Sequence, residues 1–233
     1  MDGNVAGLLL AAGQGSRLGT PKALVDMGGR SLARRGIAML RAGGAAPVIV
    51  VTGAGGEGEL GPGAVGGTAA ATGRTSTTAR PAGDASGPRP AEADSVILVH
   101  NPDWATGMGS SLAAGLAAVP AACDAAVIAL ADQPLVGAES VRRLIAAAAA
   151  GAQVAVACYE GRPRNPVLIG RAHFAEVAAL AAGDVGARPF LRAHSDLVTA
   201  VECGDTGRPD DVDTPDDLAR VRGLLTGRAT FPA

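Results

Sequence analysis

The stretch Val5–Lys22, VAGLLLAAGQGSRLGTPK, decides how this chain is read. Its first part, Val5–Leu10, is a strand-sized apolar run, and it passes without a break into a turn holding three glycines and two cations. Gly13, Gly15 and Gly19 let the backbone take positive φ and come close to a ligand. Successive backbone N–H groups in such a turn can point at phosphate oxygens. Arg17 adds a planar fork of donors, and Lys22 adds a compact charge suited to a bridging or leaving oxygen. A strand followed at once by a cationic glycine loop is an expected anion site. An ordinary βα turn with solvated cations is the plainer alternative.

The rest of the chain repeats the first strand's pattern. Apolar runs recur at Val48–Val51, Val96–Val99, Ala126–Leu130, Val154–Cys158, Val167–Ile169 and Leu197–Val201. Each is bounded by Gly, Pro or polar residues, and most are rich in Val and Ile. Between many of them lie stretches with helical spacing: Ser31–Ala42, Ser110–Val119, Ala138–Ala150, Ala172–Ala181 and Pro215–Leu225. The strands read as continuous rather than alternating runs, as expected where helices cover both faces of a parallel sheet. The expected fold is therefore α/β, with a doubly wound, mostly parallel sheet in three layers. One domain over 1–226 is expected, with a tail over 227–233. Residues 53–92 break the rhythm. Gly, Ala, Thr, Pro and Ser dominate there, too poor in core-formers to offset ordering entropy, so a flexible insertion is expected.

Composition narrows the function. Aromatics make up only 2% of the 233 residues, so the core must be built from Ala, Val, Leu and Ile. A formal charge of −2, with scattered ionic residues and no basic block, predicts neither a nucleic-acid nor a membrane partner. Cys123, Cys158 and Cys203 stand far apart, with no CxxC pair and no His at zinc-ligand spacing. Free thiols in a reducing compartment are the expectation. The start lacks a positive n-region and Val5–Ala12 is too short to span a bilayer, which predicts a cytoplasmic location.

Two shorter glycine motifs fail on this loop. A dinucleotide fingerprint needs its third glycine one residue earlier than Gly19, and Lys22 is neither preceded by Gly nor followed by Ser or Thr as in a P-loop. Two acidic positions complete the picture. Asp132 follows Ala126–Leu130 at the strand's carboxyl end, where ligands of open parallel sheets sit. It reads equally as a metal ligand and as a helix cap. Asp213, before Pro215, carries the marks of a helix start; a second metal ligand is the reading that a family resemblance adds. Asp213 is favoured over Asp211 on the premise that alternation in an extended segment sends the two carboxylates in opposite directions.

The string Leu9–Leu24, LLAAGQGSRLGTPKAL, resembles the signature of nucleotidyltransferases of the molybdenum cofactor type, the group of molybdopterin guanylyl- and cytidylyltransferases. The resemblance continues in Asn101–Leu116 (NPDWATGMGSSLAAGL), Leu130–Val136 (LADQPLV), Asn165–Leu168 (NPVL), Gly183–Arg188 (GDVGAR) and Asp211–Leu218 (DVDTPDDL). It implies a Rossmann-like fold of the nucleotide-diphospho-sugar-transferase kind. It also implies Mg²⁺ on Asp132 and Asp213, with Arg17, Lys22 and Asp132 as catalytic residues. Leu10, Ala11, Ala12, Gly13, Gly15, Ser16, Arg17, Lys22, Asn101 and Ser110 would hold the nucleotide. Asn165, Asp184 and Arg188 would lie on the acceptor side. Ser110 as a helix N-cap, and an Asp184–Arg188 pair at i, i+4, are the plainer readings of those positions. Trp104, the only Trp, either covers a hydrophobic edge or stacks on a flat ligand. His100, His173 and His194 receive no catalytic role.

The expected reaction is attack of an acceptor's terminal phosphate on the α-phosphorus of an NTP, with pyrophosphate leaving. The Arg17–Lys22 and Ala131–Pro134 strings look more like the cytidylyl than the guanylyl group, so CTP and molybdopterin, or its molybdenum-loaded form, are the expected substrates. A molybdoenzyme would receive the product. Three alternatives remain: a related transferase with another phosphorylated acceptor, a non-catalytic nucleotide- or cofactor-binding accessory protein, and a dinucleotide-dependent oxidoreductase.

Overall fold

The computed structural model describes residues 4–53 and 95–225. The expected insertion, from residue 54 on, and the tail over 227–233 lie outside the described residues. Seven strands form one sheet: β1 (Asn4–Leu10), β2 (Val48–Thr52), β3 (Val96–His100), β4 (Cys123–Leu130), β5 (Val154–Tyr159), β6 (Arg162–Gly170) and β7 (Val198–Glu202). Their order is β3-β2-β1-β4-β6-β5-β7. All neighbours are parallel except β6, which runs antiparallel between β4 and β5.

Period-two alternation divides the strand residues between two cores. Val5 and Leu9 of β1, Val48 and Val50 of β2, and Val127 and Ala129 of β4 face one side. Helices α1 (Leu32–Ala42) and α3 (Ala138–Ala149) cover that side with Ile37, Leu40, Val141 and Leu144. Ala6, Leu8 and Leu10, with Ile49, Val51, Ala126 and Ile128, face the other side. There α2 (Met108–Ala117), α4 (Phe174–Leu180) and α5 (Arg188–Ala193) supply Leu112, Leu116, Phe174, Val177 and Phe190. Both faces are covered, which is why the central strands carry no polar alternation. A third, smaller cluster joins Val25, Met27, Leu32 and Val212 to Val221 of α6 (Pro215–Leu225). It ties the segment after the glycine loop to the chain's last described helix.

The expected elements are present, with displaced boundaries. β4 begins at Cys123 rather than Ala126, and β6 reaches back to Arg162 through Pro163 and Pro166. Those prolines and the polar residues between them hide the first half of β6 from any reading of apolar runs. α5 was not expected at all. It has only six residues, with Pro189 in its first turn, and is too short to show a helical period. α2 starts at Met108, two residues before the expected Ser110, and Gly107 precedes it at φ 115°. The three cysteines are buried and unpaired.

Leu8 is fully buried against α2, so truncating it leaves a void that its rigid neighbours cannot fill. Leu8→Ala is expected to lose about 2–5 kcal/mol of stability. Denaturant unfolding should show a lowered midpoint at unchanged slope, and an unaltered midpoint would show that this face is not closely packed.

Candidate active site

A cleft of about 530 Å³ opens where β1 and β4 end. The glycine loop forms one wall, Asp132 and Asp213 the floor, and Trp104–Met108 with Asp184 the opposite wall. The loop is folded on itself. Leu18 N donates to Gly15 O at 2.8 Å, and Lys22 N to Gly13 O at 3.2 Å. Gly15 makes this possible: it sits at φ 63°, and a Cβ there would overlap the Thr20 carbonyl. These bonds leave the N–H groups of Gln14, Ser16 and Arg17 without a backbone acceptor among the described residues, and all three residues line the cleft.

Lys22 opens a short 3-10 turn, Lys22–Leu24, so its backbone is held while its side chain reaches into the cleft. Its Nζ donates to Asp132 Oδ2 at 2.8 Å and to Asp213 Oδ1. Burial alone would lower the ammonium's pKa, but the two carboxylates outweigh burial and hold it above its ordinary value. The second oxygen of Asp132, Oδ1, is buried without a hydrogen-bond partner among the described residues.

Neither carboxylate is spent as a helix cap. α3 begins at Ala138 with Gly137 as its N-cap, well past Asp132. At α6, Thr214 and Asp217 close a reciprocal box: Asp217 Oδ2 accepts from Thr214 N at 3.0 Å, and Thr214 Oγ1 accepts from Asp217 N at 3.2 Å. That leaves the Asp213 side chain to Lys22.

The premise used to choose Asp213 over Asp211 is corrected here. Residues two apart in an extended segment share a side, and Val212 is the one that turns away, fully buried in the third cluster. Asp211 accepts from Gln133 Nε2 at 2.9 Å. Part of Asp211 reaches the surface, yet burial of its carboxyl, with Asp132 and Asp213 nearby, raises its pKa against the Gln133 hydrogen bond. Asp213 meets Lys22 because of where the chain turns, not because Asp211 faces elsewhere.

The other expected residues divide into two groups. Leu10, Ala11, Ala12, Gly13, Gly15, Ser16, Arg17, Lys22, Asp132, Asp184 and Asp213 converge on the cleft. Asn101, Ser110, Asn165 and Arg188 are not among its lining residues. Asn101 is buried behind the wall, where its Nδ2 donates to Ser110 Oγ at 2.9 Å and Ser111 Oγ at 3.0 Å. Its Oδ1 accepts from Asp103 N at 3.0 Å, so its amide shapes the loop. Ser110 Oγ donates back to Gly107 O at 2.9 Å rather than capping α2. Ser111 is the serine of this pair that lines the cleft. The shift follows from the earlier start of α2, for which the Thr106-Gly107-Met108 break was the available signal.

Asp184 turns to the start of α2 rather than to Arg188, its Oδ1 accepting from Met108 N at 3.2 Å. Gly109 N donates to Gly183 O at 2.8 Å beside it. Gly107 permits this approach, since a Cβ there would overlap the Gly183 backbone. Trp104 has two readings in the sequence. It lines the cleft, packed over Gly53, where an added Cβ would lie 2.7 Å from its Cβ and Cγ.

Among the described residues, no group of three or more His, Cys, Asp or Glu side chains is placed to hold a metal ion. Asp132 and Asp213 share Lys22, and Asp211 is hydrogen-bonded to Gln133. No helix among the described residues is long and apolar enough to cross a membrane.

Known proteins resemble this chain in sequence and in structure. A protein of Paenarthrobacter nicotinovorans named nicotine blue oxidoreductase is 32% identical over 225 residues, covering 93% of this chain and 96% of its own. Among solved structures, the Mycobacterium tuberculosis Rv0371c homologue from Mycobacterium sp. strain JC1 superposes with a TM-score of 0.71 at 28% identity. The match covers 96% of this chain and 98% of that one. The complex of M. tuberculosis Rv0371c with manganese has the same fold, with a TM-score of 0.64 at 23% identity over 94% of this chain and 97% of that one. The glycine loop on β1, the cleft beyond β1 and β4, and a family model matching residues 7–198 agree: the chain belongs to the family of MobA-like NTP transferase domains.

Proposed function

We propose that the protein transfers a cytidylyl group from CTP to the terminal phosphate of molybdopterin, or of its molybdenum-loaded form, and releases pyrophosphate. The observation that carries the reading is Lys22, bridging Asp132 and Asp213 beneath the glycine loop. A cation beside two carboxylates, with unclaimed backbone N–H groups above it, suits a triphosphate and its counter-ion better than it suits a neutral ligand.

The donor set fits a hard divalent cation. Two carboxylates with one buried, unpartnered oxygen leave coordination places for phosphate oxygens and water, the usual pattern for Mg²⁺. Asp132 and Asp213 would hold it, and when bound it would screen repulsion between acceptor phosphate and triphosphate. Lys22 and Arg17 neutralise charge that accumulates on the α-phosphate and the departing pyrophosphate. Gln14, Ser16 and Arg17 N–H groups orient the triphosphate for in-line attack. Because no covalent enzyme intermediate is needed, positioning and charge supply the catalysis.

Base reading narrows within Leu10–Ala12. Leu10 O already accepts from Ala131 N at 3.1 Å, and Ala11 N donates to Val51 O at 2.9 Å. Ala12 and its neighbours in the glycine loop are what remain for the cytosine edge. The preference for CTP rests on the Arg17–Lys22 and Ala131–Pro134 strings.

A second reading is raised by the Paenarthrobacter relative, whose name is that of an oxidoreductase. Against it, β2 ends in a buried Thr52 and in Gly53, packed under Trp104. That is where a nicotinamide dinucleotide's ribose would need a carboxylate.

Pyrophosphate release with each of the four NTPs, with and without molybdopterin, tests the proposal. CTP is expected to outperform GTP clearly. A preference for GTP would remove the cytidylyl assignment while keeping the transferase class. Tight nucleotide binding without pyrophosphate would favour an accessory role, and turnover of a nicotinamide cofactor would favour the oxidoreductase.

Lys22→Ala should lower kcat roughly 100- to 1000-fold, the usual cost of a lost contact to developing charge. CTP binding by calorimetry should change far less, because the contact strengthens as pyrophosphate leaves. A raised KM at constant kcat would make Lys22 a binding residue only.

Asp132→Asn keeps the side chain's shape and deletes its charge. It should preserve the fold by circular dichroism and remove most metal-dependent turnover. Activity close to that of the parent would take Asp132 out of the site.

A further inference from the structure

Gln133 lies between the two acidic segments of the site without touching the cleft. It is buried, it follows Asp132 directly, and its Nε2 donates to Asp211 Oδ1 at 2.9 Å. Its Oε1 is buried with no hydrogen-bond partner among the described residues. An unsatisfied buried carbonyl is destabilising, a penalty that leucine, of similar volume, would avoid. Gln133 is therefore a poor choice for stability alone.

Its bond does something more specific. Asp132 and Gln133 are adjacent, and Asp211 and Asp213 flank Val212 on one side of an extended segment. Val212 N donates to Asp132 O at 2.8 Å, and the Val212 side chain is fully buried on the opposite side. The backbone bond sets the separation of the two segments. The Gln133–Asp211 bond sets the rotation of the second one about its own axis. It also occupies one Asp211 oxygen.

From this arrangement we infer that Gln133 is a positioning residue, which through Asp211 fixes the angle at which Asp213 meets Asp132. This rests on the reading of Asp132 and Asp213 as the metal-facing pair. Partners hydrogen-bonded to the ligands themselves are worth about 10–100-fold in metal affinity, and Gln133, which acts on Asp213 through Asp211, is set against that range.

The test is calorimetric titration of the metal-free protein with Mn²⁺, run beside thermal melting. Gln133→Leu should weaken Mn²⁺ binding about 10–100-fold while the melting temperature holds or rises, since an orphaned carbonyl is removed. The exchange Gln133→Glu with Asp211→Asn rebuilds the bond with donor and acceptor reversed and the same total charge, and should restore most of the affinity. Unchanged Mn²⁺ binding in Gln133→Leu overturns the inference. So does a melting temperature that falls along with the affinity, or a failure of the exchange to restore binding. A parent protein that binds no Mn²⁺ would overturn the metal-facing reading itself, and the inference with it.

Discussion

Two carboxylates from distant parts of the chain share one ammonium. Lys22 lies 110 positions from Asp132 and 191 from Asp213, and the three meet at the floor of a partly buried cleft. The acids would repel one another there without a cation between them, and the lysine would lose its charge more readily if buried without the acids. Removing one partner of such a group is costly because it leaves the remaining charges uncompensated. The site is therefore a balance of charge that the surrounding fold has to keep in register.

Each member is held by a different part of the architecture. Lys22 is placed by the glycine loop, which closes back on Gly13 and depends on Gly15 standing where no side chain fits. Asp132 is placed by β4, whose pairing with β1 brings both strand ends to one edge. Asp213 is placed by the small cluster around Val212 and by the Thr214–Asp217 box, which starts α6 without using the Asp213 side chain. Residues close to the chemistry thus do structural work so that their neighbours need not. Asn101 does the same for the opposite wall, binding both serines of α2's first turn.

A protein that bears the name of an oxidoreductase is 32% identical to this chain over 225 residues. A frame does not choose a chemistry; the groups aimed into the cleft do. Here those groups are backbone N–H donors, two cations and a carboxylate pair, the set on which the proposed phosphate chemistry rests. Trp104, packed over Gly53 on the far wall, is the one large aromatic surface the cleft offers among the described residues.

Much of this was legible in the sequence because it depends on local pattern. The buried strands announce themselves as unbroken Val, Leu and Ala runs, since both faces of the sheet are covered. The glycine loop is readable because Gly15 and Gly19 take positive φ and Gly15 also meets the Thr20 carbonyl. Gly13, read alike on sequence, has neither positive φ nor a close contact. The two acids are readable because each ends a recognisable segment. Tertiary structure alone decided the rest. The antiparallel insertion of β6 and the short α5 depend on contacts with distant strands and leave no periodic trace. The inward turn of Asn101 and the exchange of Ser110 for Ser111 follow from a two-residue shift in where α2 begins. Asp211 and Asp213 stand on the same side of Val212, yet Asp211 is hydrogen-bonded to Gln133, 78 positions away, while Asp213 meets Lys22. Spacing along a chain sets which side a residue occupies, but its partner is set by what the fold brings to that side.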